Sequence, residues 1–335
     1  MNIREVARNA GVSIATVSRV INGKTDVSLE TRERILRIIK EEDFRPKTSA
    51  LSVSDNIGIF LGSNTTEISN PYCSLVLSGI ASVMFNIDLN LTLIPSLKIS
   101  KDGADFSKFC KSRNIVGGIF ISSTQDDGYI KELAKYLPVV VVGNEFKDCE
   151  EVGSVRSDNL TGSYEGIKQL IKLGHKEILL VMADMHFLDH AERYEGAIKA
   201  LEEAGLPLSK HNILDSYAFN DSDLVYKLDF IIKNQKPDAI FVGGDQEAIR
   251  VMRVLQSMGI KIPDAMSVMG YDNLQLAANS NPPLTTVNQP IYDIGREAGK
   301  LLVNMINDKE YKPRKILLGA NFLMMRESVR EILQI

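Results

Sequence analysis

Residues 3–35 read IREVARNAGVSIATVSRVINGKTDVSLETRERI, a string punctuated at short intervals by helix starts and stops. Ile3, Val6, Ala7 and Ala10 recur at helical spacing. Asn2 and Glu5 have capping-box spacing, a side-chain acceptor followed three residues on by a carboxylate. Gly11, tolerant of positive φ, ends this helix. Ser13 starts a second, whose Val17, Val20 and Ile21 form the buried side, and Asn22-Gly23 ends it. A third begins at about Ser28 and carries Ile35, Leu36, Ile38 and Ile39. Three short helices with a glycine-containing turn between the first two predict a small all-α helix-turn-helix domain.

In that arrangement the N-terminal end of the second helix enters the major groove and presents Ile14, Ala15 and Arg19. Arg19 can hold guanine O6 and N7 bidentately, a contact with about 1–3 kcal/mol of discrimination. Ile14 and Ala15 offer apolar contact, for example to a thymine methyl, and Ser13, Thr16, Ser18 and Asn22 suit phosphate oxygens. The alternative is a generic three-helix bundle without a DNA role. Charge favours the first reading. The chain of 335 residues has a net charge of −4, yet residues 1–53 hold ten Lys/Arg against seven Asp/Glu, so a head of +3 sits on a body of −7.

The length exceeds one ordinary core. With 44% hydrophobic and 24% charged residues, the composition is that of a soluble globular protein. No stretch approaches the ~20 apolar residues of a membrane span. Arg4, Glu5 and Arg8 stand where a signal peptide would need its apolar run. Cys73, Cys110 and Cys149 are far apart and form no CxxC pair, so a reducing, cytoplasmic setting is expected.

From residue 57 short apolar runs alternate with longer amphipathic ones. Strands are expected at Ile57–Leu61, Leu89–Pro95, Gly118–Ser122, Val139–Gly143, Ile178–Ala183, Ile213–Ser216, Ala239–Gly243 and Ser267–Tyr271. Helices such as Cys73–Ile87, Gly162–Leu173, Arg193–Ala204 and Glu247–Met258 fall between them. This alternation predicts parallel sheets covered by helices. It restarts near Ser157–Asn159, which predicts two similar α/β lobes with a ligand cleft between them, beyond the carboxyl ends of the strands.

The first fifty residues, and above all AGVSIATVSRVING at 10–23, resemble the DNA-binding domain of LacI-family regulators. The resemblance continues through NPY at Asn70–Tyr72, SDN at Ser157–Asn159, LGHKEI at Leu173–Ile178 and ERYEG at Glu192–Gly196. Beyond these come GYDN at Gly270–Asn273, PPLTTVNQP at Pro282–Pro290 and RES at Arg326–Ser328. It implies a head at residues 1–45, a hinge at 46–56 and an effector-binding and dimerisation domain at 57–335, similar in fold to periplasmic sugar-binding proteins. Lobe 1 would hold about 57–157 and 288–320, and lobe 2 about 158–287 and 321–335. The last two of three crossovers would fall near Pro283–Gln289 and Gly319–Phe322.

The family hinge folds on operator DNA and wedges one apolar side chain into the minor groove, unstacking a base step. Ala50 falls on the family's alanine and Val53 on the wedge position. This chain departs there: Leu51 replaces the usual Arg or Gln, the stretch after Val53 is about four residues short, and Val is smaller than the usual Leu. A hinge that bends DNA and a plain linker both remain open.

For the pocket the resemblance implies Arg193, Asp245 and Asp272 as effector contacts, Phe219 as a stacking aromatic, and Tyr72, Gln289 and Asn144 as further lining residues. Carboxylates accept a polyol's hydroxyl protons and Arg donates to its oxygens. Two departures stand out: Gly244-Asp245 replaces a common Asn-Asp pair, and Gly143 stands where the first lobe often has a strand-end Asp.

His186 and His190, with Asp189 as a conceivable third ligand, are spaced i, i+4. Phe187 occupies the place where a metalloprotease needs Glu, so no metal site is expected. There is no GxGxxG, Walker loop or GxSxG elbow, and no cofactor or enzyme activity is expected. The implied function is a cytoplasmic repressor of carbohydrate genes, a homodimer on a pseudo-palindromic operator, switched by a sugar-like effector. No C-terminal leucine-zipper segment is expected. Left open are a purine, nucleoside or protein co-regulator, a sensor that has lost DNA binding, and an α/β enzyme.

Overall fold

The computed structural model describes residues 3–21, 27–41, 55–61, 69–87, 89–95, 103–124, 126–182, 185–206, 213–215, 220–308, 310–320 and 322–332. The expectations for Asn2, for Asn22 and Gly23, for the hinge through residue 54 (Ala50 and Val53 included) and for Phe219 lie outside these residues.

The head is α1 (Ile3–Ala10), α2 (Ile14–Ile21) and α3 (Leu29–Glu41). Gly11, at φ +62°, turns the chain out of α1 and returns its N–H to the Arg8 carbonyl at 3.1 Å. Ser13 Oγ accepts from the Thr16 amide at 3.1 Å, and Ser28 Oγ accepts from the Thr31 amide at 3.4 Å, so each later helix starts on a serine. Val6, Ala7, Ala10, Val17, Val20 and Ile35 form the core, with Val12, Val27 and Ile38 packed at its rim. These three helices form one compact unit, and Asn56–Ile87 with Leu91–Ile335 form a second.

In the second unit the chain runs β1 (Asn56–Leu61), α4 (Pro71–Met84), β2 (Asn90–Pro95), α5 (Gly103–Ser112), β3 (Ile115–Ile121), α6 (Tyr129–Ala134), β4 (Val139–Val142) and β5 (Val152–Ser157). It continues with α7 (Asn159–Lys172), β6 (Ile178–Met182), α8 (Leu188–Glu203), β7 (Ile213–Asp215), α9 (Asp221–Gln235), β8 (Ala239–Val242) and α10 (Asp245–Ser257). Last come β9 (Ser267–Asp272), α11 (Gln275–Ala278), β10 (Thr285–Asn288), α12 (Ile291–Asn307), β11 (Lys315–Leu318) and β12 (Phe322–Met324).

Two six-stranded sheets result. One has the order β11-β5-β4-β3-β1-β2 and the other β12-β10-β9-β8-β6-β7. β1 runs parallel to β3, β3 to β4, β4 to β5 and β5 to β11; in the second sheet only β12 is antiparallel, against β10. Strands such as Val139–Val142 and Ala239–Val242 are buried at every residue, as strands covered on both faces must be. The chain changes sheet after Ser157, after Asn288 and after Leu318. β5, β10, β11 and β12 were not among the expected strands. Their sequences, VGSVRS, TTVN, KILL and FLM, are polar, or too short to show a period.

The core of the first lobe centres on Phe60, whose ring stacks on Phe120 at 4.5 Å and meets the edge of Phe106 at 5.1 Å. α4 and α12 approach backbone to backbone: a Cβ on Gly79 would collide with the Tyr292 carbonyl, and one on Gly295 with the Val76 carbonyl. Among the described residues no helix is long and apolar enough to cross a membrane.

Candidate functional site: a recognition helix and an interlobe polar cluster

On the head, α2 is amphipathic. Val17 and Val20 face the core, whereas Ile14, Ala15 and Arg19 are exposed. Ile14 is 45% accessible, an aliphatic side chain at the helix start that faces solvent. Ser13 and Thr16 bond each other at 2.8 Å while Ser13 caps the helix, so part of their hydrogen-bonding capacity serves α2 itself. Ser18 lies on the same helix.

In the second unit, Arg193 lies on α8 and is 4% accessible. Its Nε donates to Asn159 Oδ1 at 2.9 Å and its Nη1 to the Gly243 carbonyl. Nη2 lies 3.5 Å from Asp272 Oδ1, and the guanidinium sits 4.0 Å above the Tyr271 ring. Asp272 ends β9 at φ +115° and Asn273 follows at +55°, a left-handed pair that non-glycine residues seldom adopt. The strained turn is held by Gln289, whose Nε2 donates to Asp272 Oδ1 at 2.6 Å. Gln289 is 3% accessible, and its Oε1 has no partner among the described residues.

Tyr72 enters from the other lobe. Asn70 caps α4, accepting from the Tyr72 amide at 2.9 Å, and Pro71 occupies the first turn, where its missing N–H costs nothing. The Tyr72 Oη is buried without a hydrogen-bond partner among the described residues. Burial, and then the charge of Asp189, raise its pKa well above the usual phenol value. Arg193, Asp272, Gln289 and Tyr72 therefore belong to one polar cluster at the junction of the lobes.

Two other expected residues stand apart from it. Asp245, fully buried, accepts from the Leu274 amide at 2.8 Å and from Thr286 Oγ1 at 2.6 Å, one layer behind Asp272. Burial, and next the Asp272 charge, push its carboxyl up to about 8. Asn144 turns into lobe 1, donating to Ser123 Oγ at 3.2 Å and accepting from the Glu145 amide at 2.8 Å.

The structure adds residues that the sequence reading did not place in the pocket. Asn159, part of the SDN string, bridges Arg193 and Asp189; its Nδ2 donates to Asp189 Oδ1 at 2.7 Å. Asp189, in the first turn of α8, is half-buried, and burial pushes it up to about 7 against the pull of Arg193. It reaches over Gly143 at the tip of β4, where a Cβ would stand 2.6 Å from Asp189 Oδ2. The one signal in the sequence was that Gly143 replaces the strand-end Asp. His186 precedes α8 while His190 lies in it, and no group of three metal-binding side chains occurs among the described residues. Between the lobes, Arg156 of β5 donates to Glu192 of α8 at 2.7 and 2.8 Å, and to Glu145 at 3.0 Å. A separate groove of about 600 Å³ joins Pro71, Ser74 and Leu75 of α4 to Ile249 of α10 and to Leu276 and Asn279.

Comparison with known proteins agrees with this architecture. Residues 2–47 match the profile of bacterial regulatory proteins of the lacI family, and residues 167–329 match a periplasmic binding protein-like domain. The chain is 30% identical to catabolite control protein A of Priestia megaterium, over 98% of this chain and 99% of that protein. It is 31% identical to the HTH-type transcriptional repressor PurR of Vibrio cholerae serotype O1, over 98% of each chain. Among solved structures, a transcriptional regulator CelR–cellobiose complex superposes with a TM-score of 0.72 at 27% identity, covering 98% of this chain and 99% of that one. The lac repressor dimer bound to operator shares the fold, with a TM-score of 0.75 at 22% identity and coverage of 98% and 99%. With relatives matched along nearly the whole chain, and a DNA-reading head joined to a two-lobed ligand domain, this protein belongs to the LacI family of transcriptional regulators.

Proposed function

We propose that this regulator is a repressor of carbohydrate genes that binds a pseudo-palindromic operator as a homodimer and is switched by a small sugar-like molecule held between its lobes. The observation that carries the reading is the interlobe cluster: Arg193, Asp272, Gln289 and Tyr72 converge from both lobes, with the Gln289 and Tyr72 oxygens buried and unpartnered. Such groups suit a polyol, which both donates and accepts. A relative solved with cellobiose supports the same ligand class. A ligand spanning both lobes stabilises one lobe arrangement over another, which couples the pocket to DNA affinity.

A homodimer is supported by the groove of α4, α10 and α11. Leu75, Ile249, Leu274 and Leu276 line it, and Leu75 is exposed. Two-fold pairing of two heads matches the symmetry of a palindromic site.

The test is fluorescence anisotropy on the DNA upstream of the gene, with and without a panel of sugars and nucleosides. Expected are specific binding, its loss with one sugar, and a cost of about 1–3 kcal/mol for Arg19→Ala on the specific site only. Specific binding indifferent to every sugar would exclude the sugar switch. No specific binding at low salt, with wild type and Arg19→Ala indistinguishable, would exclude the operator reading.

A further inference from the structure

The positive charge of the interlobe cluster is already committed. Arg193 gives Nε to Asn159, Nη1 to the Gly243 carbonyl and Nη2 to Asp272. The nearby Arg156 is held by Glu145 and Glu192. Asp189 has no such partner. Its Oδ1 takes the Asn159 amide at 2.7 Å, and among the described residues no cation lies within ion-pair distance of either oxygen. Its Oδ2 projects over Gly143: a Cβ built there would meet Oδ2 at 2.6 Å and Tyr72 Oη at 3.5 Å. Asp189 Oδ2 therefore occupies the place that a side chain at position 143 would take, with the phenol oxygen beside it at the tip of β4.

An independent feature points to a ligand in the same polar cluster. Gln289, 3% accessible and anchored to Asp272, keeps an unpartnered Oε1. Two buried oxygens of the cluster lack a partner among the described residues, Gln289 Oε1 and Tyr72 Oη, the latter able to donate as well, and Asp189 Oδ2 adds a carboxylate acceptor beside Tyr72. Above about pH 7, where Asp189 is ionised, a phosphorylated ligand would bring further negative charge beside a carboxylate, with the guanidinium already spent. A hydroxyl or ammonium brings the hydrogens these acceptors lack.

We propose that Asp189 is the specificity-determining residue of the interlobe site: its Oδ2 takes a hydrogen-bond-donating group of a small unphosphorylated ligand, and its charge excludes phosphorylated ligands. The inference rests on the interlobe cluster being the effector site.

The test is calorimetric titration of the full chain with matched sets: glucose, glucosamine and glucose 6-phosphate; ribose and ribose 5-phosphate; adenosine and its 5′-monophosphate. For the scaffold that binds, the phosphorylated member is expected to be weaker than its parent by roughly ten-fold or more. Asp189→Asn keeps an oxygen for Asn159 and puts a donor where Oδ2 stood. It is expected to weaken the parent about ten-fold and to narrow the gap to the phosphorylated member. Asp189→Ser is the second variant, should the first melt early. A phosphorylated member that binds as tightly as its parent overturns the inference. So does a variant that melts like wild type and binds the parent within about two-fold of it. If no scaffold binds a chain that still binds operator, the interlobe effector reading fails first and takes this inference with it.

Discussion

Three acids lie in or just behind the interlobe cluster, and each meets a different environment. Asp272 is paired with Arg193 and Gln289, which oppose the upward push of burial. Asp245 is buried behind it and accepts two hydrogen bonds, yet is pushed up to about 8. Asp189 is pushed up to about 7. An acid whose pKa is raised on folding holds its proton in the folded state at pH values where the unfolded chain has lost it. Stability therefore falls as pH rises from about 4 towards the folded pKa, and levels off above it. For Asp245 that window is about pH 4 to 8, with at most about 1.4 kcal/mol per pH unit for one full proton. Asp245→Asn can still accept from Leu274 and can donate to Thr286 Oγ1. Urea titrations across this range are expected to show a shallower decline in the variant than in wild type, and identical slopes would show that Asp245 does not titrate there.

At the scale of elements, the head depends on very few contacts. Among the described residues, six buried side chains pack the three helices together, and Ile35 is the only fully buried one that α3 contributes. Ile35→Ala is expected to cost about 2–5 kcal/mol, enough to unfold so small a unit. Operator binding should then be lost while ligand titration is unchanged, because α1–α3 form a compact unit of their own. Loss of both activities would refute that separation. Ser13→Ala is a milder probe: as the cap of α2 it should cost about 0.5–2 kcal/mol of head stability.

For the whole molecule, the junction of the lobes is an electrostatic as well as a covalent one. Arg156 of the first sheet holds Glu192 of the second lobe and Glu145 of its own, while Lys315 lies 3.4 Å from Glu145. These side chains are only partly accessible, so the pairs are less screened than surface ones. Arg156→Ala leaves Glu145 and Glu192 facing each other's field without their shared cation. Lobe closure should become less favourable and effector affinity should fall by about 1–3 kcal/mol, read by calorimetry. An unchanged affinity would mean that the bridge does not contribute to closure.

Local chemistry was enough for much of the architecture. Serine caps, Gly11 and the 3.6-residue period specify the three helices of the head. Apolar runs such as VVVV at Val139–Val142 and AIFV at Ala239–Val242 specify buried parallel strands, because a strand covered on both faces has no polar side to show. The polar strand β5 and the short edge strands β11 and β12 carry no such signal. They are strands because of the sheet edges and neighbours they meet. The pocket divides in the same way. Arg193, Asp272, Gln289 and Tyr72 could be named from motifs, but motif position could not tell that Asp245 faces inward to Leu274 and Thr286, or that Asn144 bonds within its own lobe. Nor could it tell that Asp189 reaches across to Gly143. Asp245 meets Leu274 and Thr286 because β8, β9 and β10 lie side by side in one sheet, Asn144 meets Ser123 within the first lobe, and Asp189 reaches Gly143 through the crossings between the lobes. Burial and unpaired charge, which decide what such a site can bind, exist only after those crossings have been made.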